Sequence, residues 1–294
     1  MKTSDHRLWR NLPNSAGSLR ATSLDFASDI DKQPGLLFRQ VSRWSPVNVI
    51  VFLALLIGTT ILRFAPVYFD YPAARAINNI ATGHELANEL AAGVVYPTLE
   101  GVILLSLVWY CWFSGISSDL QARLMRGVIA AVVAGLVAGL WQHVLPSTPK
   151  PIFDTTLHIQ APGVLGDIDV LRATSSPSSP SFPSQRGTMF AGMAIAVFMV
   201  RRWVGLLALG WTVEVEGCRV YLGLHYPTDI IGSFCLAAAI VWLAEADGGL
   251  GLGTRFVRWE RASASTFYMC AFFASYHIAT AFQDLRDLTA GLLH

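Results

Sequence analysis

Arg219, His225 and Asp229 stand as R-x5-H-x3-D within the stretch Cys218 to Asp229, with Pro227 between the last two. These residue types suit phosphoryl chemistry. A planar guanidinium that never loses its charge can bind a phosphate through two parallel hydrogen bonds. A histidine held at one ring nitrogen by a carboxylate keeps the other nitrogen free as a nucleophile. Polar residues at the end of an apolar segment also cap helices or anchor at headgroups, so the triplet alone leaves both readings open. Two further stretches add positive charge. Pro183-Ser184-Gln185-Arg186 opens a second apolar segment, where a helix start offers backbone N–H groups and a positive dipole end to an anion. His143 to Pro151 closes a third segment and sets Lys150 between Pro149 and Pro151.

The elements that must position these residues lie in a membrane. Of 294 residues, 53% are hydrophobic and 14% charged, and the mean hydropathy is +0.46. About a quarter of residues are charged in a typical globular domain, so a disordered chain is excluded and a membrane protein is indicated. The net charge of +1 leaves no broad basic field for nucleic acid. Cys111, Cys218, Cys235 and Cys270 lie in or beside apolar runs without CxxC spacing, as small buried hydrophobes do.

The pattern predicts an all-α, polytopic membrane helix bundle of about seven spans, near 46–64, 91–113, 127–145, 187–200, 203–223, 228–245 and 263–282. The fifth carries Glu214, Glu216 and Arg219. Each such charge costs about 2.5 to 3.5 kcal/mol at mid-membrane, so these side chains should face protein or water. With the N-terminus inside, cytoplasmic segments hold 14 of the 21 Lys and Arg, in accord with the positive-inside rule. That orientation sets the three polar stretches and the C-terminus on the periplasmic or extracellular side.

Residues 1–45 are expected to form a polar cytoplasmic tail, with an amphipathic piece near Leu36 to Trp44 as one option. Residues 46–262 form the six-span core, with outer loops 65–90 and 146–187, and residues 263–294 form an added C-terminal span and short tail. Ala73 to Leu90 either lies as a helix on the membrane surface or packs as a plain connector.

Residues 143–233 resemble the type 2 phosphatidic acid phosphatase superfamily, membrane lipid-phosphate phosphatases related to the soluble vanadium haloperoxidases. Its signature reads K-x6-R-P, P-S-G-H and S-R-x5-H-x3-D. The third part is nearly intact here. The resemblance implies a six-helix core, His225 as nucleophile through a phosphohistidine, Asp229 as its orienter and Arg219 as a phosphate clamp. Lys150 takes the first-motif arginine position, His143 the lysine position, and Ser184 that of the second-motif serine. It implies no metal and no cofactor.

Three departures stand out. His143 and Lys150 replace Lys and Arg, Cys218 replaces Ser, and Gln185-Arg186 replaces Gly-His. The missing histidine is the family's general acid, a role arginine cannot fill because its pKa stays above about 12. Either cleavage is lost, or the leaving group needs little protonation, as with a diphosphate whose departing charge Arg186 could neutralise. Glu216 and Glu214 are candidate substitute acids, with a structural ion pair to Arg219 as the competing reading.

The expected function is therefore a lipid-phosphate or polyprenyl-diphosphate phosphatase or phosphotransferase. A non-catalytic lipid-phosphate-binding or assembly protein is the alternative, and a proton-coupled transporter a further one. Its partners are the lipid substrate and membrane lipids. Asp154 and His158 are weaker candidates for the replacement acid, with ordinary loop residues as the competing reading; His277 reads as a core or interhelix histidine, and His84, Glu85 and Glu89, lacking a fourth ligand, make only a weak metal proposal.

Overall fold

Helix α6 (Gln185–Val200) is the centre of the bundle, with eleven of its sixteen residues buried. The computed structural model describes residues 46–65, 68–81, 83–144, 149–159, 180–246 and 251–282. The tail 1–45, most of the loop 146–187 and the end of the chain lie outside the described residues. Around α6 pack α5 (Ser118–Val144), α7 (Arg202–Tyr221) and α8 (Pro227–Ala246), and α8 in turn packs on α1 (Pro46–Phe64). Among the described residues there are ten α-helices, a short 3-10 turn (Pro151–Phe153) and no strand.

Small residues let α5 and α6 approach closely. A Cβ added at Gly192 would lie 2.8 Å from the Ala131 Cβ, and one at Gly127 would lie 2.5 Å from the Ala196 Cβ. In lipid, where tails are as apolar as side chains, such close packing is a main source of helix association. Phe190, Met193 and Val197 from α6 fill the adjoining core with Leu104 and Leu124.

Among the described residues, three helices are long and apolar enough to cross a membrane, over Val47–Phe64, Ser118–Gln142 and Pro227–Glu245. A fourth is reached if α3 (Glu85–Val94) and α4 (Pro97–Phe113), bent by 50°, make one broken span. Helix α6 is apolar but has only 16 residues, and α7 carries the charges already noted.

The apolar run at 91–113 is thus not one straight helix. Pro97 lacks an N–H and drives the residue before it out of the helical region; Tyr96 sits at φ −58°, ψ 123° and α4 starts afresh. The segment 65–90 holds helix α2 (Asp70–Ala81) and the start of α3, parted near Gly83 at φ +86°. Helix α5 starts nine residues before the apolar run, because Arg123 and Arg126 are met by Glu245 of α8 at 2.7 and 3.0 Å.

Beyond α8, α9 (Leu252–Ala262) is a helix that hydropathy alone does not reveal, since Arg255, Arg258 and Glu260 dilute its apolar face. It precedes α10 (Ala264–Ala279), the expected C-terminal segment. Aromatic packing fixes this end. Trp112 donates to the Tyr268 hydroxyl at 3.1 Å, and Tyr268 donates to Glu260 at 3.0 Å.

Candidate active site

The loop from Leu222 to Tyr226 joins α7 to α8 and carries His225. Gly223 takes φ +74°, a left-handed turn that glycine adopts without strain. Its carbonyl accepts the Ile152 N–H at 3.0 Å, which ties the loop bearing His225 to the segment bearing Lys150. Pro227 then begins α8, a position that suits its missing N–H.

Asp229, in the first turn of α8, is wholly buried. Its Oδ2 accepts the Tyr226 N–H at 2.7 Å and the Ser181 hydroxyl, and lies 3.3 Å from His225 Nδ1. With Nδ1 protonated toward this carboxylate, Nε2 keeps its lone pair. Burial lowers the His225 pKa below its usual value, helped by the charges of Lys150 and Arg219 and opposed by Asp229. The imidazole is therefore neutral near pH 7.

Lys150 is buried, just before the 3-10 turn. Burial, and after it the charges of Arg219 and Arg186, lower its pKa to about 8, with Asp229 opposing them. Three cations from three separate stretches thus share one electrostatic neighbourhood with the His225–Asp229 pair. Ser184 caps α6 by accepting the Gly187 N–H at 3.1 Å. Ser233 bonds both the Ser184 carbonyl at 3.1 Å and the Asp229 carbonyl at 2.7 Å, joining this cap to α8.

The two glutamates part company. Glu214 is exposed on α7, where the Cys218 thiol donates to it at 3.9 Å, and among the described residues no hydrogen bond or ion pair joins it to the His225–Asp229 pair. Glu216 is fully buried, 3.9 Å from Arg219 Nε, and among the described residues neither of its carboxylate oxygens has a hydrogen-bond partner. A Cβ on Gly187 would come within 3.0 Å of that carboxylate, so Glu216 lies against the opening turn of α6.

Four participants were not singled out in the sequence. Glu100 of α4 is fully buried and accepts from Arg219 Nη2 at 2.5 Å. Arg63, Asp70 and Ser181 surround Asp229. A charge inside the run 91–113 was a visible signal for Glu100; nothing local marks the other three. Asp154, read as a loop residue, accepts the Tyr71 and Tyr226 hydroxyls at 2.7 and 3.2 Å. His143 falls in the last turn of α5, its side chain outside the described residues. His277 packs against Phe273 and Tyr276, and His84, Glu85 and Glu89 are exposed. Among the described residues no group of three His, Cys, Asp or Glu could hold a metal.

Residues 104–246 match the PAP2 superfamily. This segment belongs to that superfamily. Over 88 residues the chain is 38% identical to the "Putative undecaprenyl-diphosphatase YbjG" of Escherichia coli (strain K12), an alignment that covers 28% of this chain and 43% of that protein. The chain thus spans less than half the length of this curated relative. No solved structure gives a significant match. The PAP2 segment holds Lys150, Ser184, Arg186, Arg219, His225 and Asp229, whereas Arg63, Asp70 and Glu100 precede it. The match over this segment and the apolar helices together indicate a helical membrane protein.

Proposed function

We propose that the protein cleaves a polyprenyl diphosphate, or a related lipid phosphate, through a phosphohistidine at His225 on the outer membrane face. One observation carries this: three cations from distant stretches gather beside a buried, neutral, carboxylate-held imidazole. Lys150, Arg219 and Arg186 bind the phosphoryl oxygens, and the opening turn of α6 at Ser184 supplies backbone N–H groups. His143 holds the first-motif lysine position in this scheme.

His225 Nε2 attacks the terminal phosphorus, and the bridging P–O bond breaks with its electrons leaving on the lipid monophosphate. Water then attacks the phosphohistidine, the N–P bond breaks, and inorganic phosphate departs. A hydroxyl acceptor in place of water gives phosphoryl transfer. Asp229 orients the imidazole and offsets its positive charge in the intermediate.

A diphosphate suits the absence of histidine at position 186. Its leaving group is already a weak base, and Arg186 neutralises the departing charge without donating a proton. Glu216, buried beside Arg219 and the α6 turn, is the candidate acid where a proton is needed. The undecaprenyl-diphosphatase name of the bacterial relative agrees with a diphosphate substrate. Residues 46–262 form the catalytic core in this scheme.

The second reading is a non-catalytic lipid-phosphate receptor, favoured by Arg219 being held by Glu100 rather than open to a ligand. Purified protein in detergent, offered a prenyl diphosphate and a lipid monophosphate, separates the two. Phosphate release that disappears in His225→Ala supports the enzyme; equal background release from both proteins removes it.

A further inference from the structure

Arg63 ends α1, far in sequence from the PAP2 segment, yet its side chain is only 5% exposed and lies over the Tyr226 ring, 4.3 Å from its centroid. Its Nη1 donates to Asp70 Oδ2 at 3.5 Å, and its Nε stands 3.8 Å from Asp229 Oδ1. Those last two atoms are both buried and have no hydrogen-bond partner among the described residues. They face each other across a gap slightly wider than a hydrogen bond. Asp70 is fastened separately, accepting the Thr228 hydroxyl at 2.6 Å and the Thr228 N–H at 3.3 Å.

Two wholly buried carboxylates, Asp70 and Asp229, therefore flank one guanidinium. A buried carboxylate without a cation is costly and moves or takes up a proton. Ser181, Tyr226 and His225 all engage Asp229 through Oδ2, which leaves Oδ1 to Arg63. Lys150 and Glu216 add opposite charges to the field at Asp229.

We infer that Arg63 is a positioning residue for the His225–Asp229 pair: it holds the second oxygen of the carboxylate that holds the imidazole. This rests on the phosphohistidine reading above. Through it the first span is joined to the reaction centre, with Asp70 serving to seat the guanidinium. A plain structural strut between Arg63 and Asp70 makes a different prediction, because loss of either partner would then have the same consequence.

The test measures kcat, KM and thermal unfolding of the full chain in detergent with a prenyl diphosphate, for wild type, Arg63→Met, Arg63→Lys, Asp70→Asn and His225→Ala. Outer-layer partners of metal-binding histidines contribute about 10- to 100-fold to metal affinity or activity; on the same scale for a carboxylate-held histidine, Arg63→Met should lose about that much in kcat with KM nearly constant. Arg63→Lys should recover most of the loss, and Asp70→Asn should retain most of kcat. If Arg63→Met cannot be purified, Arg63→Gln carries the same expectation, since it keeps a donor for Asp70 but no charge. Equal kcat in Arg63→Met and wild type, or equal losses in Arg63→Met and Asp70→Asn, overturns the inference while an inactive His225→Ala leaves the phosphohistidine reading standing. A wild-type protein that releases no phosphate removes both.

Discussion

Replacing Lys150 with arginine should extend activity into alkaline solution. In the phosphate-free protein the Lys150 ammonium loses its proton near pH 8, because burial and the neighbouring Arg219 and Arg186 disfavour its charge. One pH unit above that value about a tenth of the molecules keep the charge. A hydrogen bond to a charged group is worth about 1.5 to 3 kcal/mol net, so the neutral amine should hold phosphate about 10- to 150-fold more weakly. Below saturation, kcat/KM should therefore fall almost in proportion to proton concentration above pH 8 until it reaches that floor. In Lys150→Arg the guanidinium remains charged, and the decline should vanish up to the limit of protein stability. Phosphate binding near pH 8 should also take up protons, which calorimetry in buffers of different ionisation enthalpy detects. The sign for folding is the reverse of a salt-bridged lysine. The folded-state pKa lies below the usual 10.5, so stability of the ligand-free protein should rise by about 3 kcal/mol between pH 8 and 10.5. An alkaline decline that is identical in wild type and Lys150→Arg would refute the placement of this charge on the substrate.

Restoring a titratable group by Arg186→His should raise turnover of lipid monophosphates by up to about a hundred- to ten-thousandfold while diphosphate cleavage gains little, measured as phosphate release from each; no change in either substrate contradicts the leaving-group account. Glu100→Ala removes the carboxylate that accepts from Arg219 and should destabilise the protein by about 3 to 5 kcal/mol in detergent melts, with an unchanged melt speaking against a buried pair. Gly192→Ala would press a methyl against Ala131, so it should cost about 1 to 3 kcal/mol of overpacking, whereas Gly210→Ala meets nothing within 4 Å and should be near neutral by the same melts.

The helical bundle and the pairing of His225 with Asp229 were legible in the sequence because both are written in short-range patterns. Apolar runs mark helices, and Pro227 between His225 and Asp229 marks a helix start that turns the carboxylate back onto the ring. Hydropathy hid what depends on backbone detail or distant contacts. Pro97 split a run that composition reads as continuous, and the polar start of α5 is stabilised only by Glu245, over a hundred residues away. Glu214 and Glu216, two residues apart on one helix, point to different surroundings, which spacing relative to Arg219 hints at and only packing decides. Arg63 and Asp70 were illegible for a related reason: at the end of a span and at the start of a connecting helix, charged residues are ordinary, and their burial against Asp229 comes from the way α1 and α2 dock on α8.

The most direct test of the phosphohistidine is to trap it. Protein mixed with a prenyl diphosphate labelled at the terminal phosphorus, then quenched in alkali within the first turnover, should carry label that survives base and is released by mild acid. Peptide mapping should place that label on His225, and Asp229→Asn should slow its appearance. Turnover that proceeds at full rate in His225→Ala, or steady phosphate release with no protein-bound label at any time, would contradict the account.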